Sequence, residues 1–208
     1  MEILTKQIKF PEVSQATPEG LLAIGGDLSV ERILLAYKSG IFPWFEEDQP
    51  ILWWSPDPRF VLFPKELKVS KSMRQLLNKK HFRVSYNTCF EQVIKNCSAI
   101  KREGQSGTWI TRDMIAAYCE LHEMGYAKSV EVWEGSKLVG GLYGLDLGNG
   151  IFCGESMFSK VSNASKYGFI SFVKNTTYRL IDCQVYTAHL ESLGARDIER
   201  DEFLRLIQ

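Results

Sequence analysis

Two polar residues near the end of the chain could form a small reaction site. Asp182 and Gln184 stand on either side of Cys183, within a run of apolar residues. The run predicts a strand, on which side chains two positions apart point to the same face. A carboxylate beside an amide inside a protein forms either a structural hydrogen-bond network or a site that positions a nucleophile, because buried polar groups need partners. These residues leave both interpretations open.

Aromatic residues are concentrated in a proline-rich segment early in the chain. Trp44, Trp53 and Trp54 are three of the five tryptophans in the sequence. Rings on loops form either a small core or a platform on which a nucleotide base stacks, at roughly 1 to 3 kcal/mol per base. Because tryptophan is mostly buried in proteins, the residues by themselves favour the core.

A basic segment follows the aromatic one. Residues 64–83 include seven Lys or Arg residues and one acid, Glu66, whereas the whole chain has 25 basic and 25 acidic residues. The rest of the chain is therefore acidic, and the segment produces a one-sided field. Such a run is either a solvated helix face or a surface that binds a phosphate backbone.

Composition and missing motifs argue against several classes of protein. The balanced charge disfavours binding of nucleic acid through net charge. No apolar run reaches the ~18 to 20 residues of a membrane span, and the first residues lack a signal peptide's apolar stretch, so we expect a cytoplasmic protein. The five cysteines form no Cys-x-x-Cys pair and the three histidines are far apart, which predicts reduced thiols and no metal site. Motifs that bind ATP or dinucleotides are absent from the sequence, as is the Gly-x-Ser-x-Gly turn of serine hydrolases.

Periodicity predicts the elements that position these residues. Apolar residues at helical spacing indicate helices over residues 90–100, 163–177 and 200–207, and further helices that begin at Ser29, Ser70 and Thr111. Alternation between turn residues indicates strands over residues 128–133, 137–145, 151–157 and 180–186. Antiparallel strands followed by a helix and another strand predict an α+β domain with a mostly antiparallel sheet.

The distribution of prolines predicts two domains. Pro and Gly interrupt the chain frequently up to Pro58, and longer periodic elements begin after it. We therefore expect residues 1–58 to form a small N-terminal domain and residues 59–208 to form the α+β domain.

Seven short strings occur in a fixed order along the chain. They are GGDLS at 25–29, GIFPWF at 40–45, WWSPDPR at 53–59, GTWIT at 107–111, FCGESMFS at 152–159, NASK at 163–166 and DCQV at 182–185. One such string carries little information, but seven in order are specific. Over most of its length, the sequence resembles the bacterial leucyl/phenylalanyl-tRNA–protein transferases.

The resemblance implies an aminoacyltransferase with two large substrates. Members of that family move Leu or Phe, and less readily Met, from tRNA to the α-amine of proteins that begin with Lys or Arg, which marks those proteins for N-degron degradation. Leu-tRNA, Phe-tRNA and such acceptor proteins are the implied partners, without a cofactor, a metal, a membrane or DNA. The implied fold is a small N-terminal domain plus a GNAT-like α+β domain.

The resemblance also implies roles for individual residues. Asp182 and Gln184 match the proposed catalytic pair. The residues that match the pocket for the amino-acid side chain are Leu142, Glu155, Met157, Phe169, Phe172 and Ile181. The residues that match contacts with the 3′ end of the aminoacyl-tRNA are Tyr37, Trp44 and Trp109. The tRNA backbone is then expected on Lys71, Arg74, Lys79 and Lys80. Some relatives have Met at the position of Leu142, a difference that we expect to alter the preference among Leu, Phe and Met.

Two schemes for proton transfer remain open. In the first, the amide oxygen of Gln184 accepts a hydrogen bond from the attacking amine while Asp182 holds and polarises the amide NH2. In the second, Asp182 and Glu155 bind the positive terminus of the acceptor, and ribose hydroxyls transfer the proton.

Two other functions also remain open. An acyl-CoA-dependent GNAT-type N-acyltransferase fits the implied fold, although the sequence has no Arg/Gln-x-x-Gly-x-Gly/Ala run for the pyrophosphate. A module without enzymatic activity could bind tRNA ends or basic N-termini.

Overall fold

The computed structural model describes residues 2–100 and 108–208. In this part of the chain there are seven α-helices and two sheets with eleven strands in all. The helices are α1 (Val30–Lys38), α2 (Lys71–Asn78), α3 (Phe90–Ser98), α4 (Arg112–Glu123), α5 (Ala164–Asn175), α6 (Ala188–Glu191) and α7 (Arg200–Ile207). The strands are β1 (Glu2–Leu4), β2 (Leu21–Gly25), β3 (Phe42–Pro43), β4 (Leu52–Trp54), β5 (Arg59–Leu62), β6 (Arg83–Tyr86), β7 (Ala127–Glu134), β8 (Lys137–Asp146), β9 (Ile151–Ser159), β10 (Leu180–Gln184) and β11 (Arg196–Ile198).

The smaller sheet comes from the proline-rich segment, in the order β1-β2-β4-β3. Its strands are two to five residues long, too short to produce a visible alternation, so the sequence predicted one helix there and no strands. Trp53 lies on β4 of this sheet and is buried, and its indole N–H donates to the carbonyl oxygen of Gly25 at 2.9 Å. The core interpretation is therefore confirmed for Trp53.

The larger sheet has the order β11-β5-β10-β9-β8-β7-β6. β9 and β10 are parallel and the other neighbours are antiparallel. The parallel pair needs a long crossover, and α5 provides it. These observations confirm the predicted α+β class and the mostly antiparallel sheet.

In the sequence, residues 55–58 separate the strands of the smaller sheet from those of the larger one. In space, the two parts of the chain share apolar contacts. One continuous core contains Trp53 and Leu22 from the first 58 residues as well as Tyr118 and Phe203 from the rest of the chain. The boundary at residue 58 stays a prediction.

The sequence predicted three helix caps, and the structure shows two of them. The hydroxyls of Ser70 and Thr111 accept hydrogen bonds from the backbone N–H groups of Met73 and Met114 at 3.3 and 3.2 Å. Ser29 precedes α1, but its hydroxyl donates to Asp27 instead of capping the helix. Within the residues described above, no helix is both long enough and apolar enough to cross a membrane.

Candidate active site

A cavity of about 500 Å³ opens where β9 and β10 separate. The two parallel strands are paired as far as Cys153 and Asp182. The next residues of each strand line the cavity, Gly154 to Ser159 on β9 and Cys183 with Gln184 on β10. A concave, mostly apolar site with a few convergent polar groups is where small ligands bind, and in open α/β sheets the carboxyl ends of parallel strands border such sites. The cavity is therefore the candidate active site.

A bulge in each strand determines which side chains enter the cavity. On β9, Gly154 is opposite Gly144 and Ser156 is opposite Tyr143, so Glu155 is an extra residue in the strand. On β10 the register shifts between Asp182 and Gln184, and Gln184 has a φ of 59°. Bulges redirect side chains and are frequent beside active sites.

The bulge in β10 interrupts the alternation of side chains that the sequence predicted. The sequence placed Asp182 and Gln184 on one face and Cys183 on the other. In the structure Cys183 and Gln184 both line the cavity, whereas the carboxylate of Asp182 contacts Arg59. That prediction is therefore wrong, because the extra residue breaks the two-residue period.

Glu155 is the centre of a hydrogen-bond network at the cavity. Its Oε1 atom accepts from the Tyr37 hydroxyl at 2.7 Å and from the side-chain amide of Gln184 at 3.1 Å. Its Oε2 atom accepts from the Tyr118 hydroxyl at 3.1 Å, and the two tyrosine hydroxyls are 2.7 Å apart. The amide NH2 of Gln184 is thus held by Glu155 and not by Asp182, which the first of the two proton-transfer schemes had in that position.

Burial raises the pKa of Glu155 to about 7, even though the hydrogen bonds from Tyr37 and Tyr118 act to lower it. The nearby charge of Asp182 also raises this pKa, and that of Arg59 lowers it. For the two tyrosines, burial and the charge of Glu155 raise the pKa well above its usual value. They therefore remain hydroxyl donors at neutral pH.

Asp182 forms a buried ion pair with Arg59. The guanidinium Nε and Nη2 atoms donate to the two carboxylate oxygens at 2.8 and 2.7 Å. The Oδ1 atom of Asp182 also accepts the backbone N–H of Gln184 at 2.9 Å. Asp182 thus fixes the backbone of Gln184 at the bulge, while its carboxylate is occupied by arginine.

Family models match both parts of the chain. The model for leucyl/phenylalanyl-tRNA protein transferase matches residues 61–208, and the model for the N-terminal domain of that transferase matches residues 26–57. The chain belongs to the leucyl/phenylalanyl-tRNA–protein transferase family. The resemblance seen in the sequence is confirmed, and the protein is an aminoacyltransferase.

Curated relatives with this family name align over the whole chain. The relative from Flavobacterium johnsoniae is 64% identical, and the alignment covers 100% of this chain and 99% of the relative. The relative from Flavobacterium psychrophilum is 58% identical, with 100% of both chains covered. A crystal structure of a conserved protein of unknown function from Bacteroides thetaiotaomicron aligns with a TM-score of 0.45 at 13% identity, over 73% of this chain and 55% of that one.

The cavity wall contains most of the residues predicted for the side-chain pocket. Among the lining residues are Leu142, Glu155, Met157, Phe169 and Ile181. Phe172 lies one layer behind, because its ring packs against Phe152, a lining residue, with the centroids 4.7 Å apart. Phe172 supports the wall and does not form its surface.

Aromatic rings lie at another part of the same cavity. Trp44, which is 37% exposed, and Trp109 both line it, together with Pro43. Gly107, the first residue of the GTWIT string, lies outside the described residues. Tyr37, predicted to contact the 3′ end, is only 2% exposed and reaches the cavity through its hydrogen bond to Glu155.

The basic residues predicted for the tRNA backbone lie outside the cavity lining. Lys71, Arg74, Lys79 and Lys80 are exposed on α2 and the turn after it. Glu66, the acid within the basic segment, is paired with Arg196 at 2.9 Å. The exposed lysines and arginine therefore keep their positive field.

Sequence reasoning did not assign a function to Arg59, Tyr118 or His189. Tyr118 is buried on α4, and its hydroxyl is the signal in the sequence, because a buried tyrosine needs a polar partner. His189 lines the cavity, and its buried Nε2 atom has no hydrogen-bond partner among the described residues. Arg59 ends one of the seven strings, but nothing in the sequence indicates its partner.

No metal ligand set is found in the part of the chain that the structure describes. Among residues 2–100 and 108–208, no three His, Cys, Asp or Glu side chains are grouped so that they could hold a metal ion.

Proposed function

We propose that the protein transfers leucine or phenylalanine, and less readily methionine, from Leu-tRNA or Phe-tRNA to the α-amine of proteins that begin with Lys or Arg. The supporting observation is one cavity that combines two tryptophan rings, an apolar pocket and the Glu155–Gln184 pair. The acceptors would be marked for N-degron degradation. Because charged tRNA is made in the cytoplasm, we place the reaction there.

The apolar lining fits the side chain of the donor amino acid. A pocket that selects by volume discriminates by only about 1 to 3 kcal/mol per methylene, which explains how Leu, Phe and Met could share it. A β-branched residue such as Ile or Val would collide with the wall near its Cβ atom. The rings of Trp44 and Trp109 offer surfaces on which the terminal adenine can stack.

The reaction requires positioning more than activation. Attack of an amine on an ester is downhill, and an α-amine with a pKa of about 7.7 to 8.0 is partly neutral at pH 7. Good orientation of two substrates contributes up to about 7 to 11 kcal/mol. Because Glu155 holds the NH2 group of Gln184, the amide oxygen of Gln184 is left to accept a hydrogen bond from the attacking amine.

The catalytic pair that the family resemblance implies therefore divides into two roles. We propose that Gln184 contacts the reacting amine, and that Asp182 positions Gln184 through its backbone N–H. Lys71, Arg74, Lys79 and Lys80 would hold the tRNA through its phosphates, with little reading of sequence.

Labelled leucine on tRNA tests this function directly. Purified protein is mixed with labelled Leu-tRNA and a peptide that begins with Arg, with Lys or with Ala. We expect label on the Arg and Lys peptides, little on the Ala peptide, and little from Ile-tRNA. Acetyl-CoA in place of charged tRNA serves as the control for an acyl-CoA-dependent enzyme. Retention of all label on tRNA, with charged tRNA bound, would indicate a binding module.

A further inference from the structure

Transfer of an aminoacyl group from tRNA to an amine also moves a proton. The attacking nitrogen loses a proton when the amide forms, and the ribose oxygen gains one when the ester breaks. Gln184 cannot serve as that proton carrier, because an amide does not titrate near neutral pH. A titratable group within reach of the same amine would accept the proton and return it.

Glu155 has the position for this role. It lies on the cavity wall, and its Oε1 atom is 3.1 Å from the side-chain nitrogen of Gln184. An amine that approaches the oxygen of the Gln184 amide therefore also comes close to the Glu155 carboxylate. Asp182 is excluded from the same role because it is not among the residues that line the cavity and both of its carboxylate oxygens are bonded to the Arg59 cation.

Several ionisable groups surround Glu155, and among them Glu155 is the one that titrates near neutral pH. They are Tyr37 on α1, Tyr118 on α4, Tyr143 on β8, Cys153 on β9, Asp182 on β10 and Arg59 on β5. Burial raises the pKa of the Tyr37, Tyr118 and Cys153 groups, which keeps them protonated at neutral pH. The charges of Asp182 and Arg59 compensate each other. The cavity wall also contains His189, and burial lowers the pKa of its imidazole.

We infer that Glu155 accepts the proton from the attacking α-amine and returns it to the ribose oxygen, and that Tyr37 and Tyr118 hold the carboxylate for this transfer. This inference rests on the proposed function. The amine lone pair forms the C–N bond, and the nitrogen then loses a proton to Glu155. The C–O bond of the ester breaks, and the leaving ribose oxygen takes that proton, so that the carboxylate is regenerated.

Tyr37 and Tyr118 are positioning residues in this scheme. Each donates one hydrogen bond to the carboxylate, and both bonds favour its ionised form. Loss of either hydroxyl should therefore raise the pKa of Glu155 and move the acid limb of the rate profile to higher pH. A merely structural tyrosine would change the rate without moving the limb.

The test is the single-turnover rate of leucine transfer to an Arg-initiated peptide, at saturating substrates, from pH 5.5 to 9. Glu155→Gln should lower the rate about 10² to 10⁴-fold and remove the limb near pH 7, so that only the limb of the acceptor's own α-amine, at about pH 7.7 to 8.0, is left. Glu155→Asp should recover part of the rate. Tyr37→Phe should move the limb upward by about one pH unit, the effect of one hydrogen bond to a charged group. Glu123→Gln, an exposed carboxylate on α4, should behave like the wild type.

Several outcomes would overturn the inference. One is a Glu155→Gln enzyme that keeps the wild-type rate and limb. Another is loss of the limb in His189→Gln, which would assign the titration to the imidazole. If Glu155→Gln no longer binds an aminoacyl-adenosine analogue, the Tyr37→Phe profile decides, and an unmoved limb counts against the inference. Failure of the wild type to transfer leucine would instead refute the proposed function.

Discussion

The guanidinium of Arg59 and the carboxylate of Asp182 form two hydrogen bonds in the interior of the protein, 2.8 and 2.7 Å long. The third donor of Arg59 that is used, Nη1, bonds to the carbonyl oxygen of Gly40 at 3.1 Å. The rings of Phe42 and Phe203 lie 4.8 and 4.6 Å from the guanidinium carbon. The ion pair thus joins the segment after α1, two strands of the larger sheet and α7 at one point beside the cavity.

A double-mutant cycle should show that the two charges of this pair depend on each other. Arg59→Met leaves a buried carboxylate without its partner, and Asp182→Asn leaves a buried guanidinium, so each should lower the free energy of unfolding by about 3 to 5 kcal/mol. The double variant leaves neither charge unpaired, and its loss should be well below the sum of the two. Urea denaturation measures all three values.

The exposed pair Glu91–Lys95 is the control for this cycle. The Nζ atom of Lys95 and the Oε1 atom of Glu91 are 2.5 Å apart on one face of α3, but both side chains are more than half exposed. Glu91→Gln should cost no more than about 0.5 kcal/mol. If the losses in free energy of unfolding for Arg59→Met and Asp182→Asn simply add in the double variant, the cost does not come from leaving one buried charge without its partner.

The pKa of Glu155 predicts a dependence of stability on pH. Burial raises it to about 7 in the folded protein, whereas an unfolded chain has a glutamate pKa of about 4.3. Between these values the folded state binds more protons than the unfolded state, so stability falls as pH rises through this window. Glu155→Gln removes that contribution. The melting temperature of Glu155→Gln should therefore rise relative to that of the wild type as the pH increases from 5 to 8. A difference between the two melting temperatures that does not change with pH would rule out the effect.

Local patterns predicted the strands of the larger sheet that have regular alternation. The predicted strands at 128–133, 137–145 and 151–157 lie within β7, β8 and β9, because each has enough residues to show the two-residue period. β1 to β4 were not predicted, since strands of two to five residues are too short to show that period. The caps at Ser70 and Thr111 were predictable because a cap is a local hydrogen bond.

The resemblance to a family located most of the cavity wall, but the geometry inside the wall was not predictable from the sequence. The bulges at Glu155 and between Asp182 and Gln184 result from pairing between strands, and no local pattern indicates an extra residue. The partners of Asp182 and Glu155 therefore had to be observed. Asp182 and Arg59 are separated by 123 positions, and Tyr37 and Glu155 by 118.

Replacement of Lys71 and Arg74 by Ala should weaken tRNA binding. Both side chains are exposed on α2, and contacts with phosphates contribute similarly for every tRNA. We expect a similar loss of affinity for Leu-tRNA and Phe-tRNA, and a salt dependence reduced by about one unit of slope per lost contact. Binding is measured over a range of salt concentrations. Lys137→Ala with Lys174→Ala, which also removes two exposed charges, is the matched control, and an equal change there would mean that α2 is not special.

Replacement of Leu142 by Met should change which amino acid the pocket prefers. Leu142 is buried, lines the cavity and is opposite Met157 across β8 and β9. Methionine has a similar volume, so the change should cost less than about 1.5 kcal/mol of stability, but its longer unbranched chain extends further into the pocket. We expect transfer of Phe to fall several-fold relative to Leu, since a change of about one methylene is worth roughly 1 to 3 kcal/mol in such a pocket. Competition between Leu-tRNA and Phe-tRNA measures the ratio. Leu145→Met, on the same strand in the core away from the cavity, should leave it unchanged, and an unchanged ratio in both variants would show that the β8 wall does not select the donor.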